Sequence, residues 1–373
     1  MAIVGFGSLM NTVLPTLWDE DYLKKVSLQE GRSFEQLMGE VRVGLQALNG
    51  QLLGMPHYSS LFAVQDTPEI EYPIGVTNGF EEATEYGRPD PKRGNTTGHQ
   101  LPIKPYDRAM GWTMMYLRKA RAAKLDADVR SMIVDAKIKW QQLLLTRFFS
   151  STAGTVGTTS SDVPFCDAGS ADSTYVPLQS PEGEAFLYTH EHFLDTTDAG
   201  ITSNTIDQTG IEVAIEHLQE HGHNAPFDII GARVDASNWS NMTNVTGWKP
   251  PDFPMISYHN SAVERAAISD VESFHGYIET EFGVARLWLT PRLPTYNYGV
   301  FKSYGPGDQR NPLRVRIDRN VGFGFNLVPG NWVNAPTEYL LAYTEFGVGV
   351  GADRTNGVCV DLGASTWAAP TIS

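Results

Sequence analysis

The 373-residue sequence predicts an α+β chain of two or three lobes. Three observations predict it. A proline-free stretch between Pro105 and Pro164 carries apolar residues at helical spacing. A second periodic segment, Asp207 to His221, leads through a Gly222-to-Pro226 turn into the apolar run Phe227 to Ile230. From Gly276 onward the chain falls into short runs of β-branched and aromatic residues separated by turns.

Composition bounds the function classes. Hydrophobic residues make up 41% and charged residues 19%, enough apolar surface for a core and too much for a disordered chain. The net charge of −15 argues against a basic nucleic-acid binder, which needs clustered Lys and Arg to neutralise phosphates. The two cysteines, Cys166 and Cys359, form no metal-ligand spacing and no disulfide framework. Residues 1–17 are mildly apolar without a basic flank, and no stretch reaches the roughly 20 apolar residues of a membrane span.

At the N-terminal end, Phe34, Leu37, Met38, Val41, Leu45 and Leu48 recur at spacings of three and four, predicting a modest amphipathic helix on an extended arm. Gly39 and Gly44 weaken it. Between Met55 and Tyr106 prolines recur and exclude a long helix. Ile70 to Ile74 and Gln100 to Ile103 remain as short strands. Between them, Arg88 to Gly98 is polar and turn-prone and lacks any core residue. This is a long two-stranded excursion with a wet tip. A hairpin with so little core of its own needs another surface to lie on.

The strongest helical signal follows. Trp112, Tyr116, Ala120, Ala123, Ala127, Ile133, Ala136, Trp140, Leu144 and Phe148 fit a 3.6-residue period, with charges between them. About forty residues from Tyr106 to Phe149 would span roughly 60 Å. In the second helix, Ile211, Ala214, Ile215 and Leu218 form the buried stripe. The polar loop from Asn238 to Pro254 holds Trp239 and Trp248 among Asn, Ser and Thr, a composition that suits an interface. Five strands are expected near Tyr277–Thr280, Val284–Leu289, Leu313–Ile317, Tyr339–Tyr343 and Val358–Leu362. Arg314 and Arg316 alternate with Val315 and Ile317, so one face of that strand is expected to be wet or paired across an interface.

The sharpest enzymatic pattern is His217-Leu-Gln-Glu220-His221. It matches H-x-x-E-H, in which two histidines one helical turn apart bind zinc and the glutamate acts as base. The same residues end a helix, where His and the following Gly222 serve as cap and dipole partners. Zinc-dependent hydrolysis is therefore the lesser reading. Gly347-Val-Gly349-Val-Gly351 follows a strand but lacks dinucleotide-loop spacing and a following helix, so close backbone approaches are the expected reason for its glycines. No Walker A sequence and no G-x-S-x-G elbow occurs.

The order arm, hairpin, long helix, α+β lobe and strand-rich end resembles the tailed-bacteriophage major capsid fold, which encapsulin shells share. Glu82-Ala-Thr-Glu85-Tyr-Gly-Arg-Pro89 through Gly98, then Leu101-Pro-Ile-Lys-Pro, is similar to its E-loop. Tyr106 to Phe149 resembles the spine helix of the peripheral domain, and Ile206 to Ile230 the opening of the axial domain. Gly276 to Leu289 with Leu293-Pro294, and Tyr339 to Asp353 with Val358 to Gly363, resemble its later strands; Arg354-Thr-Asn-Gly357 is the turn between domains. The resemblance implies an arm at 1–58, an E-loop at 59–105, a peripheral domain at 106–205 and an axial domain at 206–335. A returning peripheral strand at 336–356 and an axial closing strand and tail at 357–373 complete it.

The resemblance also implies a non-enzymatic protein without cofactor that self-assembles into hexamers and pentamers of an icosahedral shell. That shell would enclose double-stranded DNA without reading its sequence and without a membrane, in a virion assembled in the host cytoplasm. Portal, scaffolding and decoration proteins are its possible partners. An encapsulin-like compartment is the alternative. Arg88, Lys92, Arg93, Trp239, Trp248, Arg314 and Arg316 are the expected inter-subunit contacts.

Overall fold

The computed structural model describes Gln36, Gly39, Val43, Gln46, Asn49, Gly50, Tyr58 and residues 60–74, 95–113, 116, 119, 121–156, 159–167, 191–242, 248–249, 274–329 and 337–373. The chain divides into two units. The first takes residues 1–52, 104–140 and 318–346; the second takes 53–103, 141–317 and 347–373.

In chain order the described strands are β1 (Phe62–Gln65), β2 (Glu69–Ile74), β3 (Asn95–Gln100) and β4 (Lys104–Thr113). Helix α1 (Ala122–Phe148) precedes β5 (Gly154–Val156), β6 (Thr159–Asp162) and β7 (Phe193–Leu194). Helix α2 (Gln208–Glu220) leads to β8 (Phe227–Ala232), a 3-10 turn, α3 (Ala236–Ser240) and β9 (Trp248–Lys249). The described elements that follow are strands: β10 (Phe274–Thr280), β11 (Gly283–Thr290), β12 (Asn297–Lys302), β13 (Leu313–Ile317), β14 (Asn326–Pro329), β15 (Thr337–Val350) and β16 (Val358–Asp361). The unit boundary falls within α1 and within β15.

In the first unit, β4 and β14 flank β15, both antiparallel to it; β4 runs in unbroken register from Thr113 opposite Thr337 to Lys104 opposite Phe346. Trp140 of α1 is 1% exposed. Its indole stacks on Phe346 at 4.1 Å and 10° and meets Phe323 at 5.2 Å. Arg108 ties β4 to the helix by donating to the Ser131 carbonyl at 3.1 Å and pairing with Asp135. Asn49 clamps Phe325, accepting its N–H at 2.9 Å and donating to its carbonyl at 3.1 Å.

The long helix is shorter than the periodicity predicts, and its first part is a strand. Tyr106 to Thr113 lies in β4, Tyr116 and Lys119 are helical as expected, Arg121 is not, and α1 begins at Ala122. Its 27 residues span about 40 Å. The local signal is alternation: Tyr106, Arg108 and Met110 are half-buried, whereas Asp107, Ala109 and Gly111 are exposed. Pairing with β15 overrides the helical period as far as Trp112, and Tyr116 beyond it is helical. Within α1 the stripe Leu125, Met132, Ala136, Trp140, Leu144 and Phe148 is buried at helical spacing.

The second unit is built on a seven-stranded mixed sheet, ordered β7-β16-β12-β8-β11-β10-β9. Its central strand β8 is buried at every residue. Helix α2 starts where the Asp207 carboxylate accepts the Gly210 N–H at 2.8 Å. Its buried residues Ile211, Ala214, Ile215 and Leu218 join Phe227, Ile229, Leu287, Tyr298 and Val360 in one core, as the apolar stripe predicts. Gly299 on β12 lets Phe148 approach: a Cβ there would lie 2.4 Å from the ring. The strands expected at 277–280, 284–289, 313–317, 339–343 and 358–362 form.

Candidate assembly interface

The excursion forms as a hairpin. β2 and β3 pair antiparallel from Glu69 opposite Gln100 to Ile74 opposite Asn95. Its base is clamped. Ile70 and Leu101 are buried against Ala352, the Leu101 N–H donates to the Pro68 carbonyl at 2.7 Å, and Arg316 donates to the Leu101 carbonyl at 2.9 Å. β15 passes so close that a Cβ on Gly347 would lie 1.9 Å from the Pro102 carbonyl oxygen, and one on Gly349 would lie 2.4 Å from Leu101. These contacts are the close approaches the glycine run predicts. On the other face of the same stretch, Glu69, Glu71 and Gln100 are exposed. The hairpin is fixed at its root by one buried face and exposed on the other.

Behind the base lies a buried polar junction, the turn 353–357. Arg354 is fully buried and its guanidinium donates to the Pro164 carbonyl at 2.8 Å and the Phe165 carbonyl at 3.3 Å. The Asn356 side chain accepts the Lys302 N–H at 2.7 Å and donates to the Lys302 and Arg310 carbonyls, both at 2.9 Å. Asn311 does the same for the neighbouring loop, accepting the Tyr304 N–H and donating to the Gly305 carbonyl. Buried backbone groups that no strand pairs are thus paired by side chains. Nearby, Arg147 and Asp162 stand 3.4 Å apart, both buried. Burial raises the Asp162 carboxyl to about 6 despite the adjacent guanidinium.

The expected contact residues separate into three groups. Arg88, Lys92 and Arg93 lie outside the described residues, as does the Trp248 side chain, whose strand pairs with Ile278. Trp239 is a correction. It is fully buried, against Gly231 and edge-on to Tyr298 at 5.5 Å, so its indole belongs to the core and faces no neighbour. Polar residues around it in sequence misled, because the helical turn α3 points only Trp239 inward. Arg314 and Arg316 are also engaged within the subunit. Arg314 is 4% exposed and donates to the Gln309 carbonyl; Arg316 is half-buried on Leu101. The alternation is real, but loop backbone covers the polar face.

The zinc pattern is resolved by its surroundings. α2 ends at Glu220, and His221 is its C-cap, as the cap reading holds. His221 Nε2 lies 2.8 Å from His192 Nε2, a hydrogen bond between rings. Among the described residues no three His, Cys, Asp or Glu side chains converge as a metal site requires. The first unit holds a groove of about 400 Å³ between β4 and α1, lined by Tyr106, Met132, Ala136 and Phe325 with Asp107 and Asp135 nearby. No described helix is long and apolar enough to cross a membrane.

The sequence matches no protein-family model and no curated protein. Solved structures are. One, described as Mycobacterium phage Patience, superposes with a TM-score of 0.61 at 16% identity, covering 94% of each chain. The capsid of an empty GTA particle gives a TM-score of 0.44 at 11% identity, over 82% of this chain and 88% of that one. The SrpI encapsulin of Synechococcus elongatus PCC 7942 gives 0.44 at 8% identity, over 83% and 88%. The fold assignment rests on the first of these, which follows the chain nearly end to end. With its clamped hairpin, its helix on a β4-β15-β14 sheet and its α2-backed mixed sheet, the chain has the capsid fold that tailed phages and encapsulins share.

Proposed function

We propose that this chain is a shell subunit, the major capsid protein of a tailed phage, which assembles into hexamers and pentamers of an icosahedral shell around double-stranded DNA. The observation that carries the reading is the hairpin of the capsid fold, rooted by buried contacts on one face and exposed on the other. In this reading residues 1–58 are the arm, 59–105 the E-loop, 106–205 and 336–356 the peripheral domain, and 206–335 with 357–373 the axial domain. The E-loop tip, with Arg88, lies across an adjacent subunit, where Lys92 or Arg93 meets a carboxylate. The net charge of −15 per chain provides many. One exposed pair contributes only about 0–1 kcal/mol, but every copy repeats it. The 238–254 loop, with Trp248, meets its symmetry mates at the five- and six-fold axes. The shell is acidic and contains DNA without adhering to it, and the subunit performs no catalysis.

The test is a deletion of residues 89–97 bridged with Gly-Ser, followed by sedimentation. The expected result is a folded subunit that no longer closes into shells. Shells of normal size and heat resistance from the deletion variant would show that the tip makes no contact that matters.

A further inference from the structure

The mixed sheet of the second unit carries a row of side-chain oxygens on the face turned away from α2. Val360 of β16, Leu362 just past it and Tyr298 of β12 belong to the α2 core. Asp361 and Asn297 alternate with them and so stand on the opposite face. β12 and β16 pair antiparallel with Asn297 opposite Asp361, so these two side chains are neighbours, with Cβ atoms about 4.5–5.5 Å apart. On the far side of β16, β7 runs parallel with Leu194 beside Val360, and the same register carries Asp195 beside Asp361 one step on.

Each of the three residues has an oxygen left over. Asn297 is 8% exposed, and its amide nitrogen donates to the Thr295 carbonyl at 3.1 Å. That carbonyl can only accept, so the amide cannot flip, and Asn297 Oδ1 stays without a hydrogen-bond partner beside the Asp361 carboxylate. One Asp361 oxygen accepts the Gly363 N–H at 2.8 Å. One Asp195 oxygen accepts the Thr197 N–H at 2.7 Å and its hydroxyl at 2.6 Å. Among the described residues no donor reaches the second oxygen of either carboxylate, and neither has an ion pair. An orphaned buried amide oxygen next to a carboxylate is unfavourable by itself. A cation between them reverses the sign of the interaction.

We propose that Asn297 Oδ1, Asp361 and Asp195 bind one calcium ion, which ties the loop after β7 to the end of β16. The donors are all oxygens, with no sulfur or imidazole among them, and such a set selects a hard cation. Calcium takes six to eight oxygens in irregular geometry, and water completes the shell on the half-buried Asp195 side. The frame is held without the ion: Thr196 donates its N–H and hydroxyl to the Ala364 carbonyl at 3.1 and 2.9 Å, and the Asn204 N–H donates to the Leu362 carbonyl at 2.8 Å. The surrounding field is negative. Burial and then Asp195 raise Asp361, against the Gly363 N–H, while burial, Asp198, Asp195 and Asp167 raise Glu191 to about 7; no Lys, Arg or His contributes to either shift. Two carboxylates and one amide are fewer charged ligands than a high-affinity site uses, so a dissociation constant of about 0.1–1 mM is expected.

The site lies within the second unit and does not depend on shell assembly. Thermal melting of the full chain at neutral pH and constant ionic strength tests it, in EDTA, in calcium chloride and in magnesium chloride, each salt at about 10 mM, roughly ten to a hundred times the expected constant. Calcium should raise the melting temperature of the wild type by at least about 3 °C. Magnesium, which demands near-octahedral geometry at shorter distances, should give less than about half of that rise. Asp361→Asn keeps an acceptor for the Gly363 N–H and gains an amide that can donate to Asn297 Oδ1. It should lose the calcium rise, to under about 1 °C, and melt in EDTA no lower than the wild type. No calcium rise in the wild type overturns the site. An equal rise in Asp361→Asn also overturns it, since the ions then bind elsewhere on an acidic chain, and an equal magnesium rise overturns the choice of calcium. If Asp361→Asn does not fold, Asp195→Asn at the half-buried end of the row is read by the same criteria.

Discussion

Trp140→Ala is the most direct probe of the first unit. The indole is 1% exposed, stacked 4.1 Å over Phe346 on β15 and 5.2 Å from Phe323, so it joins α1 to the sheet. Truncating a buried tryptophan costs about 3–5 kcal/mol in lost transfer energy and cavity. At about 2–4 °C per kcal/mol, the melting temperature should fall by roughly 6–20 °C. Trp140→Phe keeps a ring over Phe346 and should recover much of the loss. Differential scanning calorimetry of both variants measures this. A melting temperature within about 2 °C of wild type for Trp140→Ala would mean that the stack does not hold helix to sheet.

Other outcomes follow from single sites. Asn356→Ala leaves the Lys302 N–H and the Lys302 and Arg310 carbonyls without that partner; a loss of about 3 kcal/mol or more is expected in urea unfolding, and a loss under about 0.5 kcal/mol would contradict the junction. Gly347→Ala puts a methyl 1.9 Å from the Pro102 oxygen and should abolish soluble expression. Gly39→Ala, in a helix with nothing within 4 Å, should stabilise by up to about 1 kcal/mol; a destabilisation would show the site is closed. His99 is lowered from 6.5 to about 4, so its contribution is present above pH 6.5 and lost as pH falls toward 4. Asp162, raised from 3.8 to about 6, works in the opposite direction over much of that range. Relative to wild type, His99→Gln should therefore gain up to about 2 kcal/mol between pH 7 and 5, and a pH-independent difference would refute that assignment.

The elements legible in sequence are those whose pattern and burial agree. α2 shows its stripe at Ile211, Ala214, Ile215 and Leu218, its cap at Asp207 and its stop at Gly222, and all appear in the structure. Glycines 347 and 349 announce a close approach without naming Pro102 and Leu101, which lie far away along the chain. β4 is misread because Trp112 continues the period of a helix that follows it, while its true partner β15 begins more than two hundred residues later. The buried junction is the least legible part. Arg354, Asn356 and Asn311 have the composition of a surface turn, and only the fold shows that they hold unpaired backbone inside. Trp239 fails in the opposite sense: polar neighbours suggest an interface, while the turn places its ring alone in the core.

The central claim is that this chain builds a closed shell. Cryo-electron microscopy of particles from the expressed full chain tests it directly. The account predicts icosahedral shells of hexamers and pentamers in which each hairpin lies across the adjacent subunit. A monodisperse monomer under all assembly conditions, or shells in which the hairpin folds back on its own subunit, would contradict it.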